Sequence, residues 1–164
     1  FKPLNDSYGH LAGDEVLRQI GIIMKNTIRE ADQAFRYGGD EFAAILPQTS
    51  LESALKVAER IRQQAFARIE IGSTPISISL GLASWPADGV SPTDIIAAAD
   101  AALYQAKRSG GNRCQCSIVS LKPEKDNHNK PKQEDSEETG ALSAIFALAN
   151  TVDNRERLLS LIHI

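Results

Sequence analysis

Arg36-Tyr37-Gly38-Gly39-Asp40-Glu41-Phe42-Ala43-Ala44-Ile45-Leu46-Pro47 is the stretch that decides the fold. A polar Gly-Gly-acid-acid tip stands between two apolar, strand-like runs, so Ala34 to Tyr37 and Phe42 to Leu46 read as the arms of a β-hairpin. The two glycines predict a tight turn with positive φ and room for a ligand close to the backbone. Adjacent Asp40 and Glu41 carboxylates supply hard oxygen ligands of the kind Mg²⁺ takes. A metal at an open turn beside a phosphate is what phosphoryl or nucleotidyl transfer needs. The same tip also fits a plain hairpin whose acids are solvated.

Upstream of the hairpin, Leu11 to about Arg29 reads as a helix with Val16, Leu17, Ile20, Ile23, Met24 and Ile28 on one apolar stripe. Downstream, Thr49-Ser50-Leu51-Glu52 resembles a capping box. The helix it opens buries Leu51, Ala54, Leu55, Ala58 and Ile61 and leaves Glu52, Lys56, Glu59, Arg60 and Arg62 largely wet. Pro75 to Ala83 reads as a strand. Ser91 as N-cap with Pro92 behind it starts a further helix, which runs to about Arg108 and is stopped by Gly110-Gly111. Arg113 to Val119 reads as a last strand. The expected order is α-β-β-α-β-α-β, an α/β sandwich around a mixed sheet.

The 164 residues allow one ordinary domain and a short extra segment, and 42% hydrophobic content suffices for a core. A net charge of −3 argues against a nucleic-acid coat or a polybasic membrane anchor. No apolar run reaches the roughly 18 residues of a membrane span. Cys114 and Cys116 are the only cysteines and have no companion cluster, so reduced thiols are expected rather than a zinc site.

Further motifs stand at fixed spacing around the hairpin. They are Phe1-Lys2-Pro3-Leu4-Asn5-Asp6-Ser7-Tyr8-Gly9-His10, Gly13-Asp14-Glu15-Val16-Leu17, Ile78-Ser79-Leu80-Gly81 and Ala99-Asp100-Ala101-Ala102-Leu103-Tyr104-Gln105-Ala106-Lys107. Together, from Phe1 to about Val119, they closely resemble the GGDEF domain family, the bacterial diguanylate cyclases. The resemblance implies a mostly antiparallel central sheet flanked by helices, like nucleotide cyclases and polymerase palms. It also implies condensation of two GTP into cyclic di-GMP with release of two pyrophosphates, by two domains facing each other as a homodimer.

Residue by residue, the resemblance makes Asp40 and Glu41 catalytic and metal-binding, with Mg²⁺ (or Mn²⁺) as cofactor. The family's other metal carboxylate stands a few residues ahead of the Phe-Lys pair. That position precedes Phe1, so a first strand and one metal ligand are expected to be missing and the fragment inactive as it stands. Asn5 and Asp14 match the guanine-reading pair, and a carboxylate and an amide suit the donors of a guanine edge. On its own, Asp14 also fits helix-dipole stabilisation. Lys2, His10, Lys107, Gly38 and Gly39 complete the expected substrate-binding set, and the amides around Phe1 to Leu4 are expected to cradle phosphate oxygens. Lys107 equally suits a solvated lysine at a helix end, and His10 a packing residue. Gly111 stands where the family usually has an Arg, with Arg113 two residues on. Arg29 and Asp32, with five residues between Asp32 and Gly38, match the inhibitory product site, and Arg60 matches an additional product-contacting Arg.

The leading expectation is a cytoplasmic, product-inhibited diguanylate cyclase, with no nucleic-acid partner and no membrane contact within this stretch. The alternative is a non-catalytic module that binds GTP or cyclic di-GMP and regulates a neighbouring domain. Residues 120–139 read as a flexible polar linker. Residues 140–158 read as a helix resembling the opening of an HD-GYP-type domain, or equally a docking helix. Leu159-Ser160-Leu161-Ile162-His163-Ile164 matches what a transposon-type sequencing adapter encodes in one frame, so residues 159–164 are expected to be foreign.

Overall fold

The computed structural model describes residues 1–117 and, as backbone, 157–163. Its elements are α1 (Lys2–Tyr8), α2 (His10–Thr27), β1 (Gln33–Arg36), β2 (Glu41–Pro47), α3 (Leu51–Arg68), β3 (Glu70–Ile71), β4 (Thr74–Pro75), β5 (Ser79–Trp85), α4 (Pro92–Arg108), β6 (Cys114–Cys116) and β7 (Arg157–His163). Five strands form one sheet in the order β1-β2-β7-β5-β6, and β3 and β4 make a separate short hairpin. Every pairing in the large sheet is antiparallel except β5 with β6. The fold is therefore the mixed, mostly antiparallel sheet flanked by helices that the sequence predicts.

The alternation of β2 sets the layers. Phe42, Ala44 and Leu46 join a core with Val16, Leu17, Ile20, Ile23 and Met24 of α2 and Ala54, Ala58, Ile61 and Ala65 of α3. Ala43 and Ile45, on the opposite face, pack with Ile95, Ala99 and Leu103 of α4. Ile20 and Met24 are fully enclosed, and burial of each such side chain contributes about 1.5–3 kcal/mol. On the α4 side, contact with β5 depends on Gly81. A Cβ there would lie 2.1 Å from the Ala99 carbonyl oxygen and 2.4 Å from the Leu103 nitrogen, so only glycine admits the helix backbone this close.

Several boundaries differ from the sequence reading. The stretch around Phe1 to Leu4, whose amides are expected to cradle phosphate oxygens, opens a short helix, α1, that the sequence reading did not mark. The Leu4 and Asn5 amides donate to the Phe1 carbonyl, and Pro3 occupies the first turn, where a missing N–H costs nothing. The cap of α3 is Ser50, whose Oγ accepts from the Ser53 amide, rather than Thr49. Thr49 donates instead to the Pro47 carbonyl. β5 begins at Ser79, and Thr74–Pro75 pairs with Glu70–Ile71. Arg62 is not on the wet side. It is mostly buried, pairs with Glu59 at 2.9 Å and donates to Asn112 Oδ1. For α4 the reading stands: Ser91 and Asp94 form a reciprocal capping box, and Gly110 and Gly111 end the helix with φ of 106° and 67°.

The middle of the sheet is held by β7, antiparallel to both β2 and β5. The linker at 120–139 lies outside the described residues, as does the expected helix at 140–158 apart from Arg157 and Leu158. Those two begin β7, which finds the backbone hydrogen-bonding groups of β2 and β5 on its two sides. Of the segment expected to be foreign to the domain, residues 159–163 supply most of that strand.

Candidate active site

The hairpin at the sheet edge carries Asp40 and Glu41. Pairing of Arg36 with Phe42 closes the ladder, and the Tyr37 amide donates to the Glu41 carbonyl at 2.8 Å. Neither Gly38 nor Gly39 takes a positive φ, contrary to expectation; among the described glycines that is confined to Gly9, Gly72, Gly110 and Gly111. What these two glycines provide is space. A Cβ on Gly38 would come within 3.1 Å of Glu41 Oε2, so the Glu41 carboxylate folds back over Gly38. A Cβ on Gly39 would meet nothing within 4 Å, so the turn is open on that side.

Arg36 fastens the tip. Its guanidinium donates from Nε to the Gly38 and Gly39 carbonyls at 3.2 and 3.0 Å and from Nη2 to Gly39 at 2.5 Å. The sequence reading missed this role, and the signal available was a long cationic side chain directly before a Gly-Gly turn. With both carbonyls occupied, the turn presents its acids and its open Gly39 side.

Helices α1 and α2 bring the expected base-reading pair together. Gly9, at φ 83°, swings the chain between them. Asn5 then lies against Gly13, and Asp14 stands exposed beside it on α2. Asn5 Oδ1 is buried without a hydrogen-bond partner. His10 is exposed in the first turn of α2, and Lys2 is exposed in α1. The neighbouring Glu15 is held down to about 2 by hydrogen bonds from Arg18 and Gln19.

The expected product site lies where α2 passes into β1. Asp32 is buried and accepts from the Arg29 amide at 2.9 Å, which fixes the turn and leaves the Arg29 side chain exposed. Arg60 of α3 donates to the Thr27 carbonyl, so its guanidinium caps the end of α2 next to Arg29. A cavity of about 830 Å³ opens here, lined by Lys25, Arg29, Asp32, Phe35 and Arg36 among others.

Lys107 stands apart from these groups, in a depression of about 390 Å³ on the outer face of α4 with Asp100 and Tyr104. Gly111 sits at φ 67°, a conformation that disfavours any side chain. Arg113 turns back over this loop and donates from Nε to the Gly111 carbonyl at 3.3 Å. Cys114 and Cys116 are unpaired thiols, half-buried against the α2–α3 core. Burial pushes both thiols up, with the Glu59 carboxylate adding to the effect at Cys114.

The fold and the turn define an α/β domain with paired carboxylates on an edge hairpin. Residues 1–113 match the diguanylate cyclase GGDEF domain family, and the chain belongs to that family. It is 42% identical over 124 residues to diguanylate cyclase A of Treponema denticola, covering 74% of this chain and 33% of that protein. Among solved structures, the active GGEEF domain of a diguanylate cyclase from Vibrio cholerae superposes with a TM-score of 0.68 at 35% identity. That alignment covers 73% of this chain and 77% of the other. The GGDEF domain of DgcB from Caulobacter crescentus, in complex with c-di-GMP, gives a TM-score of 0.63 at 32% identity over 71% of this chain and 69% of that one. The chain spans about a third of the length of the curated relative. No helix among the described residues is long and apolar enough to cross a membrane.

Proposed function

We propose that this domain is a diguanylate cyclase, which joins two GTP molecules through attack of each ribose 3′-OH on the other's α-phosphate and releases two pyrophosphates. The observation that carries the reading is the fastened Gly38–Glu41 turn, with Asp40 and Glu41 presented beside the open side of Gly39. Two adjacent carboxylates fit a hard divalent cation. The described residues contain no cluster of three or more His, Cys, Asp or Glu that could hold one, so Asp40 and Glu41 would supply part of a ligand set shared with phosphate oxygens and water. Bound there, Mg²⁺ would neutralise charge developing on the α-phosphate and make the 3′-oxygen easier to deprotonate. The protein's own contribution is positional. Arg36 holds the turn, Asn5 and Asp14 select the base, and Lys2 and His10, on the same two helices, complete the nucleotide contacts. Facing of two copies sets the two nucleotides in line.

Product control follows from Arg29, Asp32 and Arg60, which converge on the α2–β1 turn. A second reading, a receptor that binds GTP or cyclic di-GMP without turnover, is favoured by Gly111, whose backbone does not suit the Arg that the family usually places there.

The test is a mass-spectrometric product assay with GTP and Mg²⁺, run on the chain and on the chain extended upstream from its parent gene. The extended chain is expected to make cyclic di-GMP. Asp40→Ala and Glu41→Gln are expected to lower turnover by about 100-fold or more, because metal-centred charge stabilisation contributes several kcal/mol. In the same assay Arg29→Ala relieves inhibition by added product. Binding of GTP without product from the extended chain would establish the receptor reading instead.

A further inference from the structure

Gly13 lies inside α2, buried, one residue before Asp14. Its φ is not in the left-handed region, so the backbone freedom of glycine is not what the position uses. In a helix interior glycine is less favourable than alanine, and something else must offset that. The surroundings identify it. A Cβ on Gly13 would stand 1.9 Å from Asn5 Oδ1, 3.0 Å from Asn5 Cγ and 3.1 Å from the Phe1 ring. The recess left by the absent methyl is filled by the Asn5 amide, and the enclosed Oδ1 makes no hydrogen bond. A buried, unpaired carbonyl oxygen is unfavourable, and nothing in the packing of α1 requires a polar group there, since α1 buries none of its residues fully.

We propose that Gly13 is a specificity-determining positioning residue, whose missing Cβ holds the Asn5 amide beside Asp14 in the attitude needed to read a guanine base. The inference rests on the base-reading role of Asn5 proposed above. It differs from a packing role for Gly13 because the residue displaced by a methyl is the polar reader itself, which has two free torsions and would rotate away while both helices stay in place.

Isothermal titration of the full chain with GTP and with ATP, in the presence of Mg²⁺, tests this together with thermal melts. The variants are Gly13→Ala, Asn5→Ala and the double variant. Gly13→Ala is expected to cut the preference for GTP over ATP by about tenfold, as loss of one hydrogen bond does. Its melting point should not fall, since alanine favours the helix. Asn5→Ala should do the same, and the double variant should lose no more than either single one, because both act through one amide. If Gly13→Ala melts early, recovery of the melting point in the double variant still reports the contact, while a double variant that remains as unstable counts against it. Unchanged preference in Gly13→Ala, with preference lost in Asn5→Ala, overturns the inference and leaves the base-reading role intact. Unchanged preference in Asn5→Ala, or no preference in the unaltered chain, overturns both.

Discussion

Gly81 and Gly39 are both glycines inside apolar-flanked motifs, yet the structure uses them in opposite ways. At Gly81 the space of the missing Cβ is taken by protein, the backbone of α4 at Ala99 and Leu103. At Gly39 it is taken by nothing within 4 Å. The first is a packing solution and the second an open face, where the nucleotide is proposed to sit. A small residue in this fold therefore has a meaning set by its neighbours, and stability and function can be separated at glycines of the same chain.

The sharpest way to break that contrast is Gly81→Ala. The two nearest atoms in the way are main-chain and the third is the Leu103 Cβ, so none can rotate aside, and the helix or the strand must move. Overpacking typically costs 1–3 kcal/mol and more where the backbone must shift. We expect a loss of about 3 kcal/mol or more, read as a lower urea midpoint. A loss below about 1 kcal/mol would mean that α4 is not held to β5 by this contact.

A smaller effect is expected at the start of α4. Ser91→Ala removes the hydroxyl that accepts from the Asp94 amide at 3.2 Å and should cost about 1 kcal/mol. The reciprocal bond, from the Ser91 amide to the Asp94 carboxylate, gives this end a pH dependence. Hydrogen bonds from Ser91 hold Asp94 below its ordinary value of 3.8. The folded state therefore favours the ionised form. The contribution is complete above the unfolded value and is lost as pH falls through the lower folded one. Asp94→Asn should accordingly differ from the parent chain at neutral pH and converge with it in acid, which urea titrations across that range would reveal.

The parts legible in the sequence are those whose signals are local and repeated. The stripe of α2 from Val16 to Met24 and the Ser91 cap with Pro92 were visible because period and capping chemistry act within a few residues. The short helix α1 was not, since it buries no residue completely and leaves no stripe to read. The hairpin of β3 and β4 has two residues a side, too few for alternation to register. The central position of β7 depends on pairing with strands far away in sequence. Arg62 reads as a wet-face cation until the chain returns fifty residues later to place Asn112 against it. At the site, the hairpin acids and the Arg29–Asp32 turn were legible as motifs. The fastening by Arg36 and the recess at Gly13 were not, because each depends on where a neighbouring side chain lies.

The smallest effect on stability is expected at Gly39, and there the contrast is most exposed to test. Its φ is not in the left-handed region and an added methyl meets no neighbour. Gly39→Ala should therefore change stability by no more than about 0.5 kcal/mol, as an exposed substitution away from any strained feature does. It is not expected to be neutral for function: a methyl on the open side of the turn projects into the space proposed for the nucleotide, and it does so without meeting Glu41. Turnover of GTP, or GTP affinity measured by titration, should fall while the urea midpoint stays put. A variant that is unchanged in both would mean that this side of the turn is simply solvated, and the contrast with Gly81 would be one between a packed glycine and an idle one.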